Sequence, residues 1–271
     1  MSTATEDPAG GESTEELSEG TLLSHLVELR TRLLKIAAAV VGVFIVLLPF
    51  ATEIFSIASE PLRAVLPTGK MIATKPASPL IAPFKLTFYV ALFIAMPVVL
   101  YQVWAFVAPG LYRKEKRFAI PLFASSVLLF YAGIAFAYFV VFPLMFDFFA
   151  SIAPPDVEVQ PDITEFLSFI ATIVFAFGIA FEVPIATVLV TWTGLTTPKK
   201  LAKARPYVFL GAFILGMFLT PPDVISQTLL AVPVYLLFEI GIFMARFFSS
   251  SEDEDEETTD NTGSKNDDGS K

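Results

Sequence analysis

Two glutamates that lie close to basic side chains have the chemistry to bind a cationic ligand. Glu28 precedes Arg30 and Arg32, and Glu115 is the acid within the basic run 113–117. Neighbouring bases favour the ionised form of a carboxylate, which can accept two parallel hydrogen bonds from one guanidinium. Each also has an ordinary interpretation: Glu28 could form a helix-surface pair with Arg32, worth about 0.2–0.5 kcal/mol, and Glu115 could balance local charge. The residues alone leave both interpretations open.

Two further glutamates interrupt long apolar stretches. Glu182 lies about ten residues, or ~15 Å of helix, from the end of its apolar stretch. Glu239 lies inside the stretch 225–245. A lone carboxylate in hydrocarbon is costly, so it must be protonated, face water or meet a partner. That cost favours a functional interpretation of Glu182 and raises the same question for Glu239.

The residue inventory excludes most catalytic chemistry. The chain has no Cys and one His, His25. Without Cys there is no disulfide, no thiolate nucleophile, no iron–sulfur cluster and no Cys-based zinc site. A Ser-His-Asp triad would depend on His25, which lies ahead of the first apolar stretch. We therefore expect no enzyme activity, no metal and no cofactor.

The elements that must position the carboxylates are membrane-spanning helices. Hydrophobic residues make up 55% of the chain and charged residues only 17%, against about 25% charged residues in a soluble domain. The apolar windows predict an all-α polytopic membrane protein with six transmembrane helices, at 33–51, 80–107, 118–146, 165–192, 206–220 and 225–245. The fifth window gives only ~22 Å of helix, less than the ~30 Å hydrocarbon core. Prolines predict kinks in these helices, at Pro83, Pro97, Pro121, Pro143, Pro184 and Pro233.

Charge separates the membrane domain from two tails. The formal net charge is −9, and most of the acids lie in the segments 1–21 and 249–271. These polar, acidic segments are predicted to be disordered cytoplasmic tails on either side of a membrane domain at 22–248. Basic residues cluster before the first span and after the second and fourth, and an excess of Lys and Arg marks the cytoplasmic side. Both termini are therefore predicted to be cytoplasmic.

Five motifs, in order along the chain, resemble those of the TatC family, the multi-spanning receptors of the twin-arginine protein translocase. The resemblance covers about 22–247 and leaves out only the tails. One such motif would be a weak signal, whereas five in order with matching topology are specific. The motifs are SHLVELRTRL at 24–33, YQVWAFVAPGLYRKEKR at 101–117, FEVP at 181–184, RPY at 205–207 and LTPPD at 219–223.

The resemblance implies a concave, glove-like arrangement of the kinked helices and a receptor role. In this family the cytoplasmic surface binds the twin-arginine signal peptides of folded cargo proteins. The residues here that match the recognition surface are Glu28, Glu115, Arg30, Leu26 and Phe106. A guanidinium presents a planar fork that a carboxylate accepts bidentately and that Lys cannot reproduce. Two acids would therefore distinguish an Arg-Arg pair from a Lys-Lys pair without any catalysis.

The resemblance also implies residues for the membrane and assembly steps. Glu182 matches the membrane-embedded glutamate of the family, and Pro61 matches a position important for assembly. Met217, Asp223 and Gln227 lie in the region that contacts the single-span partners TatB and TatA, although capping of the sixth helix is the more ordinary account of Asp223 and Gln227. The implied setting is the bacterial inner membrane, with further TatC copies, export driven by the proton gradient, and no nucleic-acid partner.

A second class of function is a proton- or ion-coupled secondary transporter. Such a protein would use Glu182, and Glu239 with it, as the ionisable groups of an intramembrane pathway. It also predicts an internal repeat, whereas the predicted spans do not divide into similar halves.

Overall fold

The computed structural model describes residues 12–65, 71–107, 116–152, 160–220 and 223–249, some of them by their backbone alone. The described chain is helical, without a named strand, so the all-α prediction is confirmed. The helices are α1 (Glu12–Leu47), α2 (Ala51–Val65), α3 (Ser78–Val107), α4 (Lys116–Phe136), α5 (Phe142–Ile152), α6 (Ile163–Ala180), α7 (Val183–Trp192), α8 (Pro198–Lys203), α9 (Arg205–Leu219) and α10 (Val224–Ser249). A 3₁₀ turn at Leu48–Phe50 joins α1 to α2.

The described helices fit the predicted pattern of long spans with one short apolar helix. Five segments are long and apolar enough to cross a membrane: Leu26–Ile57, Ser78–Phe106, Ile120–Phe149, Ile163–Trp192 and Val224–Phe247. The short fifth element is α9, with 15 residues. At 1.5 Å per residue it reaches about 22 Å, so its ends lie inside a bilayer of ordinary thickness unless the bilayer thins around it.

Two of the predicted proline sites interrupt regular α-helix. Ahead of Pro143 the third span passes through a π-helical turn at Ala137–Val141, in which the Phe142 N–H donates to the Ala137 carbonyl. Because Pro143 has no N–H, this wider turn re-pairs the backbone near the site of the missing hydrogen bond. Ahead of Pro184, a turn at residues 181–182 separates α6 from α7. The other four prolines, Pro83, Pro97, Pro121 and Pro233, lie inside continuous helices.

A close crossing of α4 and α6 fixes the centre of the bundle. A Cβ atom on Gly133 would lie 2.5 Å from the Phe177 carbonyl oxygen, and one on Gly178 would lie 2.6 Å from Cε2 of Phe130. Phe130 and Phe177 are themselves fully buried. Any larger side chain at either glycine would push the two helices apart, so these glycines set the distance between α4 and the helix that carries Glu182.

At the start of α3 and α6, an extended segment clamps the two helices together. The Ile72 N–H donates to the Pro161 carbonyl, and the Ile163 N–H donates back to the Ile72 carbonyl. Asp162 caps α6 and also accepts hydrogen bonds from the backbone N–H and the hydroxyl of Thr74, at 2.8 and 2.6 Å. These bonds hold the pKa of Asp162 well below its ordinary value, because they favour the ionised carboxylate.

The predicted boundary of the N-terminal tail does not coincide with a helix end. Helix α1 begins at Glu12, within the stretch 1–21 that the sequence assigns to the tail. The backbone is therefore helical across the predicted boundary, while residues 1–11 and 250–271 lie outside the described residues. The division into two tails and a membrane domain otherwise stays a prediction.

Candidate functional site

The Glu28 carboxylate binds a guanidinium from its own helix. Arg32 donates from Nε and Nη2 to the same oxygen, Oε1 of Glu28, at 3.0 and 2.5 Å. The ordinary interpretation of this spacing, a pair four residues apart on one helix, is therefore present. Neither bond uses the second carboxylate oxygen, Oε2, and the Glu28 side chain keeps 37% of its surface exposed. Glu28 thus has acceptor capacity left for a second donor.

A third hydrogen bond makes this pair part of the tertiary structure. Nη2 of Arg32 also donates to the Ala105 carbonyl in the last turn of α3, at 2.7 Å. The bond joins α1 to α3 beside Phe106, which is exposed to 37%. The structure therefore brings Glu28 close to the chain segment that carries Phe106, as the predicted surface requires.

Of the other predicted members of this surface, the structure describes Leu26 and Arg30 but not Glu115. Leu26 and Arg30 lie on α1 with exposed side chains, and Arg30 forms no described bond to Glu28. Glu115 and its basic neighbours at 113–114 lie outside the described residues. Among the residues that the structure describes, Glu28 pairs with Arg32, as in the ordinary interpretation of the sequence.

Glu182 lies at the turn between α6 and α7 and meets a hydroxyl from α4. Ser126, which is fully buried, donates to Oε2 of Glu182 at 2.5 Å. The other oxygen, Oε1, is buried and finds no hydrogen-bond partner among the described residues. An intramembrane carboxylate must be protonated, face water or meet a partner. One oxygen of Glu182 meets a partner, the Ser126 hydroxyl. The close crossing of α4 and α6 places Ser126 within reach.

An apolar groove lies beside the same turn. It has a volume of about 520 Å³ and runs between α4, α7 and α10. Phe181 and Pro184, on either side of Glu182, line it, and its other lining side chains are apolar or aromatic except Ser125. The Ser125 hydroxyl bonds the Pro121 carbonyl of its own helix. The surroundings of this groove therefore suit hydrocarbon rather than a hydrated ion.

Glu239 is paired. Arg205 at the start of α9 donates from Nε to Oε1 and from Nη2 to Oε2 of Glu239, at 2.7 and 2.8 Å. Tyr235, one turn earlier on α10, also hydrogen-bonds this carboxylate. The bidentate geometry uses both carboxylate oxygens and joins α9 to α10. The sequence left open how a carboxylate is tolerated in this apolar helix. In the structure Glu239 is neutralised by the Arg205 guanidinium of the neighbouring helix.

The predicted contact residues for partner helices lie in the α9–α10 hairpin. Met217 is exposed on α9. Asp223 caps α10, because its Oδ1 accepts from the Ser226 N–H at 2.7 Å, which confirms capping as the ordinary account. Gln227 donates from Nε2 to the Phe213 carbonyl at 2.7 Å, so it ties α10 back to α9. Any contact of these residues with a partner stays a prediction.

The assembly role of Pro61 and the expected absence of a metal or cofactor both stay predictions. Pro61 falls in the backbone of α2, but its side chain is outside the described residues. Among the residues that the structure describes, no cluster of three or more His, Asp or Glu side chains is arranged to hold a metal ion. The expected absence of a metal or cofactor stays a prediction.

Sequence reasoning did not assign roles to Ser126 and Arg205 as partners of Glu182 and Glu239. The signal for Arg205 was available, since it stands directly before the short apolar window and opens the RPY motif at 205–207. Ser126 was one of two adjacent serines in the third span, and nothing in its spacing shows which of the two faces Glu182.

The comparisons with known sequences and with solved structures point to the same protein family. A family model for TatC, the Sec-independent protein translocase protein, matches residues 24–233. The chain is 61% identical over 223 residues to TatC of Azotobacter chroococcum mcd 1, covering 82% of this chain and 88% of the relative. It is 57% identical over 228 residues to TatC of Escherichia coli K12, covering 84% and 88%. A crystal structure of the twin arginine translocase receptor TatC superposes with a TM-score of 0.74 at 39% identity, covering 82% of this chain and 98% of that one.

Proposed function

The chain belongs to the TatC family of Sec-independent protein translocase proteins, and we propose that it binds the twin-arginine signal peptides of folded cargo proteins around Glu28. Membership makes the chain a membrane-embedded translocase component, that is, a transport protein. The single observation that carries the proposal is the geometry of Glu28, whose carboxylate already accepts a guanidinium through Oε1 and has Oε2 free of that bond.

The proposed recognition rests on the shape of the arginine head group. A guanidinium offers two parallel N–H donors in one plane, which match the two oxygens of a carboxylate, whereas an ammonium offers a single charged point. Glu28 would receive one signal-peptide arginine and Glu115 the other. Because neighbouring Lys and Arg side chains repel cations that cannot form these bonds, random basic peptides would be excluded.

The apolar part of the proposed surface comes from the two helices that Arg32 joins. Leu26 and Phe106 are both exposed, on α1 and at the end of α3. Exposed apolar side chains beside a carboxylate suit a peptide in which the arginine pair is flanked by apolar residues. Arg30, exposed on the same helix as Glu28, would complete this surface.

We propose that Glu182 acts after signal capture, within the membrane. Its Oε1 atom is buried without a partner among the described residues, which leaves an acceptor for a polar group that arrives during transport. Met217, Asp223 and Gln227 would meet the single-span subunits TatB and TatA, and Pro61 would support assembly with them and with further TatC copies. Transport in the bacterial inner membrane, with both termini cytoplasmic, would draw on the proton gradient.

The secondary-transporter alternative finds less support. Glu239, the second ionisable group that it would use, is bound by Arg205 through both oxygens. The groove beside Glu182 is lined almost wholly by apolar side chains. Both features disfavour a hydrated ion pathway through these residues.

Photo-crosslinking to a synthetic signal peptide tests the proposal. Crosslinking probes replace Val27 and Leu29, which are exposed on either side of Glu28, and a control probe replaces Ile57 at the far end of the first span. Matched peptides carry Arg-Arg or Lys-Lys. We expect crosslinks from the first two probes that are strong with Arg-Arg and lost with Lys-Lys, and none from Ile57. Equal crosslinks with both peptides, or crosslinks from all three probes, would refute the assigned site.

A further inference from the structure

The binding state of Glu28 in the free protein suggests how access to it is controlled. We propose that Arg32 is an intramolecular competitor: it holds Oε1 of Glu28 and must leave that oxygen before a ligand arginine can bind both carboxylate oxygens. This inference rests on the proposed binding of signal-peptide arginines by Glu28, and it adds a residue that tunes the affinity of that site.

The chemistry of the contact supports competition. Arg32 presents to Glu28 the same group that the ligand would present, a guanidinium, and it uses two N–H donors at 3.0 and 2.5 Å. Both donors converge on Oε1, so the planar bidentate arrangement with both oxygens is not formed. An incoming arginine that bound both oxygens would replace a one-oxygen contact by the stronger two-oxygen geometry.

The surroundings of Arg32 distinguish it from an ordinary helix-surface pair. Its side chain is only 19% exposed, and Nη2 also donates to the Ala105 carbonyl. When Glu28 binds a ligand instead, the Arg32 guanidinium keeps its hydrogen bond to the Ala105 carbonyl. Release of Glu28 therefore does not leave Arg32 without a hydrogen-bond partner. Arg32 can therefore release Glu28 to a ligand arginine and still remain between α1 and α3.

Competition of this kind has a defined effect on affinity. When only a fraction of the protein has both oxygens of Glu28 free, the apparent dissociation constant of the two-oxygen contact equals its intrinsic constant divided by that fraction. Weakening the Arg32 contact should therefore tighten binding. A residue that only positioned Glu28 would have the opposite effect, because its removal would disorder the carboxylate and weaken binding.

The test is equilibrium binding of a fluorescent Arg-Arg signal peptide to the full-length protein in lipid nanodiscs. The central variant is Arg32→Lys, which keeps the charge but cannot reproduce the planar contact. We expect its dissociation constant to fall by about three- to tenfold. Arg32→Gln, which also removes the charge, should bind at least as tightly. An unchanged or raised dissociation constant in Arg32→Lys overturns the inference.

Lys35→Gln is the matched control for charge. It removes one positive charge from an exposed position of the same helix, one turn beyond Arg32, and the Lys35 side chain has no hydrogen bond or salt bridge to Glu28 or Ala105 in the described structure. A fall in the dissociation constant that is equally large in Lys35→Gln and Arg32→Gln would assign the effect to general electrostatics and reject competition. The melting temperature of each variant shows whether the protein remains folded.

The Glu28→Gln protein separates failure of this inference from failure of the proposed function. If Glu28→Gln binds the Arg-Arg peptide as well as the unaltered protein does, Glu28 is not the receptor group and the proposed function fails at this residue. If Glu28→Gln weakens binding but Arg32→Lys does not tighten it, only the competition fails. In the double variant, Arg32→Lys should have no effect, because there is no carboxylate left to compete for.

Discussion

Two glutamate–arginine pairs among the described residues use the same chemical groups in different geometries. In the pair of Arg32 with Glu28, both donors meet one oxygen, and the carboxylate is 37% exposed. In the pair of Arg205 with Glu239, each donor has its own oxygen, and the two residues come from different helices. The first pair lies within α1 and leaves acceptor capacity, while the second joins α9 to α10 and is saturated.

The difference shows why a charged residue in a membrane protein cannot be assigned a role from its depth alone. By sequence, Glu239 in an apolar helix raised the question of a function, whereas Glu28 ahead of the first span also had an ordinary interpretation as a helix-surface pair. In the structure Glu239 has both of its oxygens bound by Arg205, together with a hydrogen bond from Tyr235, which is typical of a structural fastening. Glu28 keeps one carboxylate oxygen that Arg32 does not bind, as the proposed receptor role requires.

The largest expected effect comes from breaking the saturated pair. Replacing Arg205 by Ala should give the largest loss of unfolding free energy among these variants, because the part-buried Glu239 carboxylate then loses both charge-assisted hydrogen bonds from Arg205. Denaturant unfolding in detergent measures this loss. The control is Lys203→Ala, an exposed lysine of α8, which should change stability little. Equal unfolding free energies of Arg205→Ala and Lys203→Ala would contradict a structural role for the Arg205–Glu239 pair.

Next in size is the effect of removing the exposed carboxylate. Glu28→Gln should weaken binding of an Arg-Arg signal peptide about tenfold, which corresponds to ~1.4 kcal/mol, since a neutral amide accepts only ordinary hydrogen bonds. The protein should remain folded, because Arg32 keeps its hydrogen bond to the Ala105 carbonyl when the Glu28 carboxylate is lost. Peptide titration and thermal unfolding of the same preparation measure both quantities. Loss of folding without loss of binding would reverse the comparison.

Glu182 stands between the two pairs, since one of its oxygens has a donor and the other has none. Ser126→Ala should lower the unfolding free energy by about 1 kcal/mol by removing that donor. Its neighbour provides the control, because the Ser125 hydroxyl bonds a carbonyl of its own helix and Ser125→Ala should cost only about a few tenths of a kcal/mol. Identical unfolding curves for the two variants would show that the Ser126 contact contributes nothing.

The smallest effect concerns a carboxylate bound by neutral donors only. Asp162 accepts from Thr74, and these bonds lower its pKa in the folded protein. The stability it contributes is therefore fully present above the pKa of an unfolded Asp, about 3.9, and is lost as the pH falls below that value through the lower folded pKa. The difference in melting temperature between the unaltered protein and Asp162→Asn should be constant from pH 7 to about 5 and shrink below pH 4. A difference that grows on acidification would contradict this assignment.

The fold was predictable from the sequence because it follows from local patterns. Apolar length predicts the helices, including the short α9, and the position of Asp223 ahead of α10 predicts its capping role. The π-helical turn at Ala137–Val141 was not predicted, although Pro143 indicated a disturbance there. The local sequence shows that Pro143 removes a helical hydrogen bond but not which backbone arrangement replaces it.

The partners of the carboxylates were not predictable in the same way. The residues of the three interhelical contacts are 34 positions apart for Arg205 and Glu239, 56 for Ser126 and Glu182, and 73 for Arg32 and Ala105. Periodicity gives the face and depth of a residue on its own helix, whereas its partner depends on how the helices cross. In the case of Ser126 and Glu182 the crossing is set by glycines, whose role is visible only after α4 and α6 are packed.

The most direct test of the account compares Glu28→Gln with Glu239→Gln in one experiment. Both full-length proteins, in nanodiscs, are titrated with the Arg-Arg signal peptide and then unfolded by heat. We predict that Glu28→Gln loses binding and keeps its melting temperature, while Glu239→Gln keeps binding and melts at a lower temperature. If Glu239→Gln loses binding while Glu28→Gln retains it, the receptor carboxylate has been assigned to the wrong end of the chain.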